Sequence, residues 1–173
     1  ALEKDEVLVE FLLESVFNTY YAVVVQAGGA VSGGPSGGGV SFVTIGSIEE
    51  VEESINAYRQ LHRGKLTKSR LAQLDDALTD VGKKLFGPIK KELPIGVTKV
   101  ILCPDGLVNF VSFATLKGRD GDFLGERFEF SYVSTGRDLL FGNPAVKPGK
   151  DIAVFANPDF DLSEVGVAEN YPG

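Results

Sequence analysis

Apolar and polar positions change rhythm several times along this chain. Over Glu6–Val16 and Asn18–Val25, β-branched and aromatic residues crowd together with only a short polar break at Phe17-Asn18, which predicts the two strands of a hairpin. Seven glycines then fall between Gly28 and Gly39, within AGGAVSGGPSGGGV. That stretch has too little side chain to bury, so it reads as a flexible loop. Strand character resumes over Val40–Ile45. The first part of the chain is therefore expected to be a small antiparallel meander with a long second turn.

From residue 47 the period becomes helical. Ser47 with Glu50 three positions on forms a capping box. Ile48, Val51, Ile55, Tyr58 and Leu61 follow at helical spacing, and Gly64 closes the segment. Glu49, Glu50, Glu52 and Glu53 sit where the positive end of the helix dipole favours carboxylates. A second stripe runs through Leu71, Leu74, Leu78, Val81 and Leu85. Gly87-Pro88 is expected to interrupt it, with Pro88 opening a short helical turn to Leu93. The heptads are too few for a coiled coil, so both helices are expected to pack on a sheet.

Val97–Cys103 is apolar apart from Thr98 and Lys99, the pattern of a strand buried on both faces. Pro104-Asp105-Gly106 ends it in a tight turn. Leu107–Leu116 and a polar loop at Lys117–Asp122 come next. Phe128–Ser134 predicts another strand, Arg137–Phe141 a short helix, and Asp151–Ala156 a further buried strand running into Asn157-Pro158-Asp159. Strands alternating with helices after residue 47 indicate an α/β core. Two regions are expected on composition, a β-meander with its glycine-rich loop at residues 1–46 and an α/β part at residues 47–173.

Composition narrows the picture. With 43% hydrophobic and 24% charged residues, the chain has the balance of an ordinary globular protein. Its longest apolar runs, at Tyr20–Val25 and Val97–Cys103, are far short of a bilayer span, and no membrane partner is expected. The net charge of −7 argues against a nucleic-acid surface, which needs Lys and Arg to neutralise phosphates. A single cysteine excludes an internal disulfide and fits a reducing, cytoplasmic setting. No secretory signal opens the chain, and methionine is absent, which reads as processing or excision from a longer frame.

The candidate chemistry is sparse. A hydrolase triad needs a nucleophile, an imidazole and a group to orient it. The one histidine, His62, falls near a helix end, where a solvated imidazole suits the dipole. The one cysteine, Cys103, ends a buried strand and reads as a small interior hydrophobe. The two are not paired. Gly34-Pro35-Ser36-Gly37-Gly38 matches the G-x-S-x-G elbow in form, but a glycine-rich loop before a strand is the wrong context. Gly64-Lys65 is followed by Leu66, so it is not a phosphate-cradling motif. Asp120-Gly121-Asp122 with Gly125 echoes a calcium loop, yet Leu124 and Ser131 stand where ligand oxygens belong, leaving a solvated turn. Lys83-Lys84 and Lys90-Lys91 read as solvated faces near helix ends. No catalytic, cofactor-binding or metal-binding residue is assigned, and no cofactor is expected.

Several segments, in order, carry a family resemblance. Val100-Ile-Leu-Cys-Pro-Asp-Gly106 is a strand followed by Pro-Asp-Gly. Leu107–Leu116 follows with Phe113 and Leu116, although Ser112 stands where proline is common. Phe128–Leu140 contains Ser-Thr-Gly-Arg-Asp-Leu, and Ile152–Phe160 ends in Asn-Pro-Asp-Phe. Upstream, Asp5–Phe11 and Leu85–Ile89 also fit. Together, across roughly Glu3 to Asp161, the chain resembles the CHAT domain, a caspase-like cysteine peptidase module associated with TPR proteins.

The resemblance implies a caspase-like sandwich of helices on a central sheet, incomplete without a C-terminal half. In that family a His-Cys dyad comes from a later His-Gly segment and a later cysteine at a strand end. Neither His62 nor Cys103 matches those positions, so no catalytic role carries over. The implied function is the N-terminal scaffold or regulatory half of a cysteine endopeptidase, this chain alone being inactive. The implied partners are the catalytic half or a companion chain, TPR repeats upstream and a protein substrate, in a bacterial context. The alternative is a non-catalytic interaction or adaptor module with the same fold, and a third reading is an unrelated hydrolase using Ser36.

Overall fold

A computed structural model of the chain describes residues 2–27, 39–61, 65 and 67–139. All the elements below fall within the unit Ala1–Gly142. Ser36, His62, Gly64, Leu66 and the expected strand at Asp151–Ala156 lie outside the described residues, as does the Asn157-Pro158-Asp159 segment.

Among the described residues, five strands form one mixed sheet: β1 (Glu6–Glu14), β2 (Thr19–Gln26), β3 (Val40–Ser47), β4 (Lys99–Cys103) and β5 (Glu129–Tyr132), in the order β3-β2-β1-β4-β5. The expected meander is present, with β1/β2 and β2/β3 antiparallel. Its first strand also pairs in parallel with β4, from Glu6 opposite Lys99 to Glu10 opposite Cys103. Meander and α/β part therefore share one sheet, with β1 at its centre. The hairpin turn between β1 and β2 uses Asn18 at φ 49°, a left-handed position that asparagine tolerates better than most residues.

Helices α1 (Ile48–Leu61) and α2 (Lys68–Lys90) cross one face of the sheet. The capping signal at Ser47 is realised: its hydroxyl oxygen accepts the Glu50 N–H at 3.2 Å and lies 2.9 Å from the Glu50 carboxylate. Thr67 caps α2 by accepting the Arg70 N–H. Strand alternation sends Val7, Val9, Phe11, Tyr20, Ala22, Val24, Val100 and Leu102 toward the helices, where Val51, Ile55, Val81, Leu85, Phe86 and Ile89 meet them. The Val, Leu, Ile and Phe side chains among these each contribute about 1.5–3 kcal/mol when fully buried. Leu8, Ile101 and Cys103 form a smaller cluster on the opposite face, with Val25, Val133 and Leu139 against it. Val100 through Cys103 are all buried, as their unbroken apolar run predicts.

The break expected at Gly87-Pro88 does not occur. Helix α2 continues through Pro88 to Lys90. Proline removes one donor and crowds the preceding turn, but Phe86 and Ile89 on either side are 1% and 0% exposed. Their burial outweighs one missing hydrogen bond, worth about 1 kcal/mol net. Between β4 and β5 the connection is built of short 3-10 turns, Gly106–Phe110, Phe113–Thr115 and Leu124–Glu126. The short helix expected at Arg137–Phe141 is a 3-10 turn at Gly136–Leu139.

Candidate functional site

In sheets with parallel strands, ligand and catalytic groups gather beyond the carboxyl ends of those strands. Here β1, β4 and β5 run in parallel, so the edge that matters is the one reached by Leu13, Cys103 and Tyr132. The Pro104-Asp105-Gly106 turn follows directly on β4. Asp105 holds it closed with both oxygens: Oδ2 accepts the Leu13 N–H at 3.0 Å and Oδ1 accepts the Gly106 N–H at 2.8 Å. The first of these ties the turn to the end of β1, beyond the last β1–β4 pair. Asn109 adds two bonds from its amide to the carbonyls of Pro104 and Gly106.

Gly106 occupies φ 55°, and a Cβ there would come within 2.3 Å of the Tyr20 hydroxyl. Only glycine combines the left-handed backbone with that close approach. The Tyr20 hydroxyl accepts the Leu107 N–H at 3.3 Å and donates to Glu52 on α1 at 3.2 Å. Burial pushes the Tyr20 phenol up to about 12; the Leu107 amide opposes the rise and the Glu52 carboxylate reinforces it. One hydroxyl thus joins β2, α1 and the turn after β4. Alongside, the Arg59 guanidinium stacks 4.1 Å above the Phe110 ring.

Cys103 lies on the opposite face and is 6% exposed. Its thiol faces the Glu10 carboxylate at 3.9 Å and the Ser134 carbonyl oxygen at 3.5 Å. Both are acceptors toward which the S–H can donate. A reactive thiolate needs an electropositive, accessible setting. The Ser134 contact brings the Ser-Thr-Gly-Arg-Asp-Leu segment against β4, so two sequence signatures far apart in the chain meet around this residue.

The remaining candidates resolve into structure. Asp120 and Asp122 both clasp the Arg127 guanidinium, at 2.6 and 2.8 Å. Among the described residues no group of acidic, histidine or cysteine side chains could hold a metal ion. Lys84 pairs with Asp80 at 2.9 Å. Burial pushes the Asp80 carboxyl up, but its bonds from Ser54 and Lys84 outweigh that and leave it below the usual carboxylate value. Sequence reasoning missed Tyr20, Glu52 and Ser54 as a polar framework. Their only signal was Tyr20 at an inward strand position, where a phenol needs a partner.

No described helix is long and apolar enough to cross a membrane. A family model for the CHAT domain matches residues 75–171, more than half of the chain. It begins within α2 and takes in β4, the Pro104-Asp105-Gly106 turn and β5; the earlier strands and α1 lie outside it. No curated protein matches the chain.

Proposed function

The chain belongs to the CHAT domain family, and we propose on that premise that it forms the N-terminal scaffold and regulatory half of a caspase-like cysteine endopeptidase. The observation that carries this reading is the setting of Cys103, a buried thiol donating toward a carboxylate and a carbonyl. A sulfur so placed is a packing element of the sheet. Bond-breaking then rests on a His-Cys dyad supplied by residues other than His62 and Cys103. In the assembled peptidase an imidazole activates that cysteine, and the thiolate attacks a peptide carbonyl.

The role of this half is to hold the carboxyl edge of the sheet in shape. Asp105 and Tyr20 lock the turn after β4 to β1, β2 and α1, which supports a rigid platform for groups placed nearby. The proposed partners are a catalytic segment of the same protein or a companion chain, a protein substrate, and TPR repeats upstream. The proposed setting is a bacterial cytoplasm.

The test is a peptidase assay on a protein that joins this chain to a downstream segment carrying a His-Gly motif and a cysteine-ended strand. Cleavage that is lost on replacing the downstream cysteine and kept in Cys103→Ser supports the proposal. Loss of cleavage in Cys103→Ser, with its fold intact by circular dichroism, refutes it. A folded joined protein that cleaves nothing favours the adaptor reading instead.

A further inference from the structure

A cavity of about 290 Å³ opens between the C-terminal half of α2 and the loop around Gly118. Phe86 and Leu124 lie beneath it, almost fully buried in the core at 1% and 3% exposure, and Gly82, Gly87 and Gly118 keep its surface low. Four cationic residues line it as well: Lys83 and Lys90 from α2, Lys91 at its C-cap, and Arg119 from the loop. From these features we propose that the cavity is a binding site for a small organic phosphate carrying two or more phosphate groups, with its organic body in the open space over Gly87.

The charge arrangement carries the inference. Lys83, Gly87 and Lys90 lie at i, i+4 and i+7, one face of the helix. The helix dipole accounts for cations in the last turn, but it does not account for Lys83, or for Arg119, which a separate element brings to the same place. Of the carboxylates around it, Asp75 pairs with Lys117, Asp120 and Asp122 with Arg127, and Asp80 with Lys84, although Asp80 also attracts Lys83 one turn further on. Among the described residues, none of the four cavity cations stands in an ion pair. Like charges gathered at one cavity repel one another. A multivalent anion relieves that repulsion, whereas one carboxylate engages only part of it.

The floor selects the rest of the ligand. A Cβ on Gly87 would meet nothing within 4 Å, so open space lies over that position. The volume lies at the small end of the range for small-molecule sites, which suits an aromatic or aliphatic body with its phosphates at the cationic rim. The overall charge of −7 disfavours a broad phosphate-binding surface, and a cavity of this size is a local exception to it. This site is independent of the peptidase reading and needs no cleavage to be tested.

The experiment is a calorimetric titration of the whole chain with adenosine diphosphate, beside inorganic tripolyphosphate and a glutamate-rich peptide. Saturable one-to-one binding of the nucleotide is expected. The double variant Lys90→Glu/Lys91→Glu should weaken it by about tenfold or more, and Arg119→Ala should weaken it too. These positions are exposed, so the variants should stay folded, with unfolding midpoints lowered only by the modest helix-dipole contribution of the last turn. Gly87→Leu, which fills the floor and keeps every charge, should remove the advantage of the nucleotide over tripolyphosphate. No saturable binding overturns the proposal, and so does binding indifferent to the rim variants. Equal affinity for all three probes reduces the site to bare charge attraction and overturns it as well.

Discussion

The Tyr20 hydroxyl sits in the core with a carboxylate as its acceptor, and its chemistry sets a pH dependence. The phenol titrates near 10 in an unfolded chain and is pushed up to about 12 here, chiefly by burial. A folded-state pKa above the unfolded one gives stability that is complete below pH 10 and lost as pH rises through about 12. Denaturant midpoints should therefore fall between those values, and fall less steeply in Tyr20→Phe. At neutral pH that variant should lose about 1–3 kcal/mol, because the Leu107 N–H and the Glu52 carboxylate each lose a partner. Equal slopes above pH 10 for the two proteins would rule the explanation out. None of this was legible in the sequence beyond an inward tyrosine, because the partners come from α1 and the turn after β4.

At the scale of elements, α2 shows how one helix serves two neighbours. Its inner stripe of Leu78, Val81 and Leu85 faces the sheet, and that much follows from spacing; Ile89 joins it because the helix continues through Pro88. Its second contact does not. Where Gly82 passes the loop, a Cβ would fall 2.2 Å from the Lys117 carbonyl oxygen, and the Lys117 N–H donates to the Leu78 carbonyl. In an open helix Gly→Ala gains about 1 kcal/mol. Gly82→Ala should instead destabilise by about 2–4 kcal/mol, since the obstacle is backbone held by its own hydrogen bond. Gly87→Ala on the same helix, facing open space, should stay within about 1 kcal/mol of the parent. Urea unfolding of the pair is the measurement. Matching midpoints would show that the loop yields and the contact is soft.

For the molecule as a whole, the position of β1 governs what can fold. It pairs with β2 on one side and β4 on the other, although long stretches of sequence separate it from β4. A composition boundary at residue 46 is thus not a boundary of hydrogen bonding. The prediction is that a fragment of residues 47–139 stays unfolded, since β4 loses its parallel partner and the helices lose most of the apolar surface they cover. Adding a separate peptide of residues 1–46 should restore helical circular dichroism if the pieces associate. A fragment of 47–139 that unfolds cooperatively alone would contradict this account. Exposed Phe42, 77% accessible on edge strand β3, belongs to the opposite category, with little packing at stake.

What the chain determined by itself was local: the hairpin, the start of α1 with its Ser47 cap, the buried run of β4 and the tight turn after it. Each depends on contacts between residues a few positions apart, or on a periodicity that repeats within one segment. The tertiary structure alone decided the rest. It put β1 between β2 and β4, carried α2 through Pro88 on the strength of Phe86 and Ile89, and turned a calcium-like loop into a clasp around Arg127. It also gathered Lys83, Lys90, Lys91 and Arg119 around one cavity. Those outcomes turn on distances between segments remote in sequence, and no single stretch of residues encodes them until the burial of the whole core fixes where each segment lies.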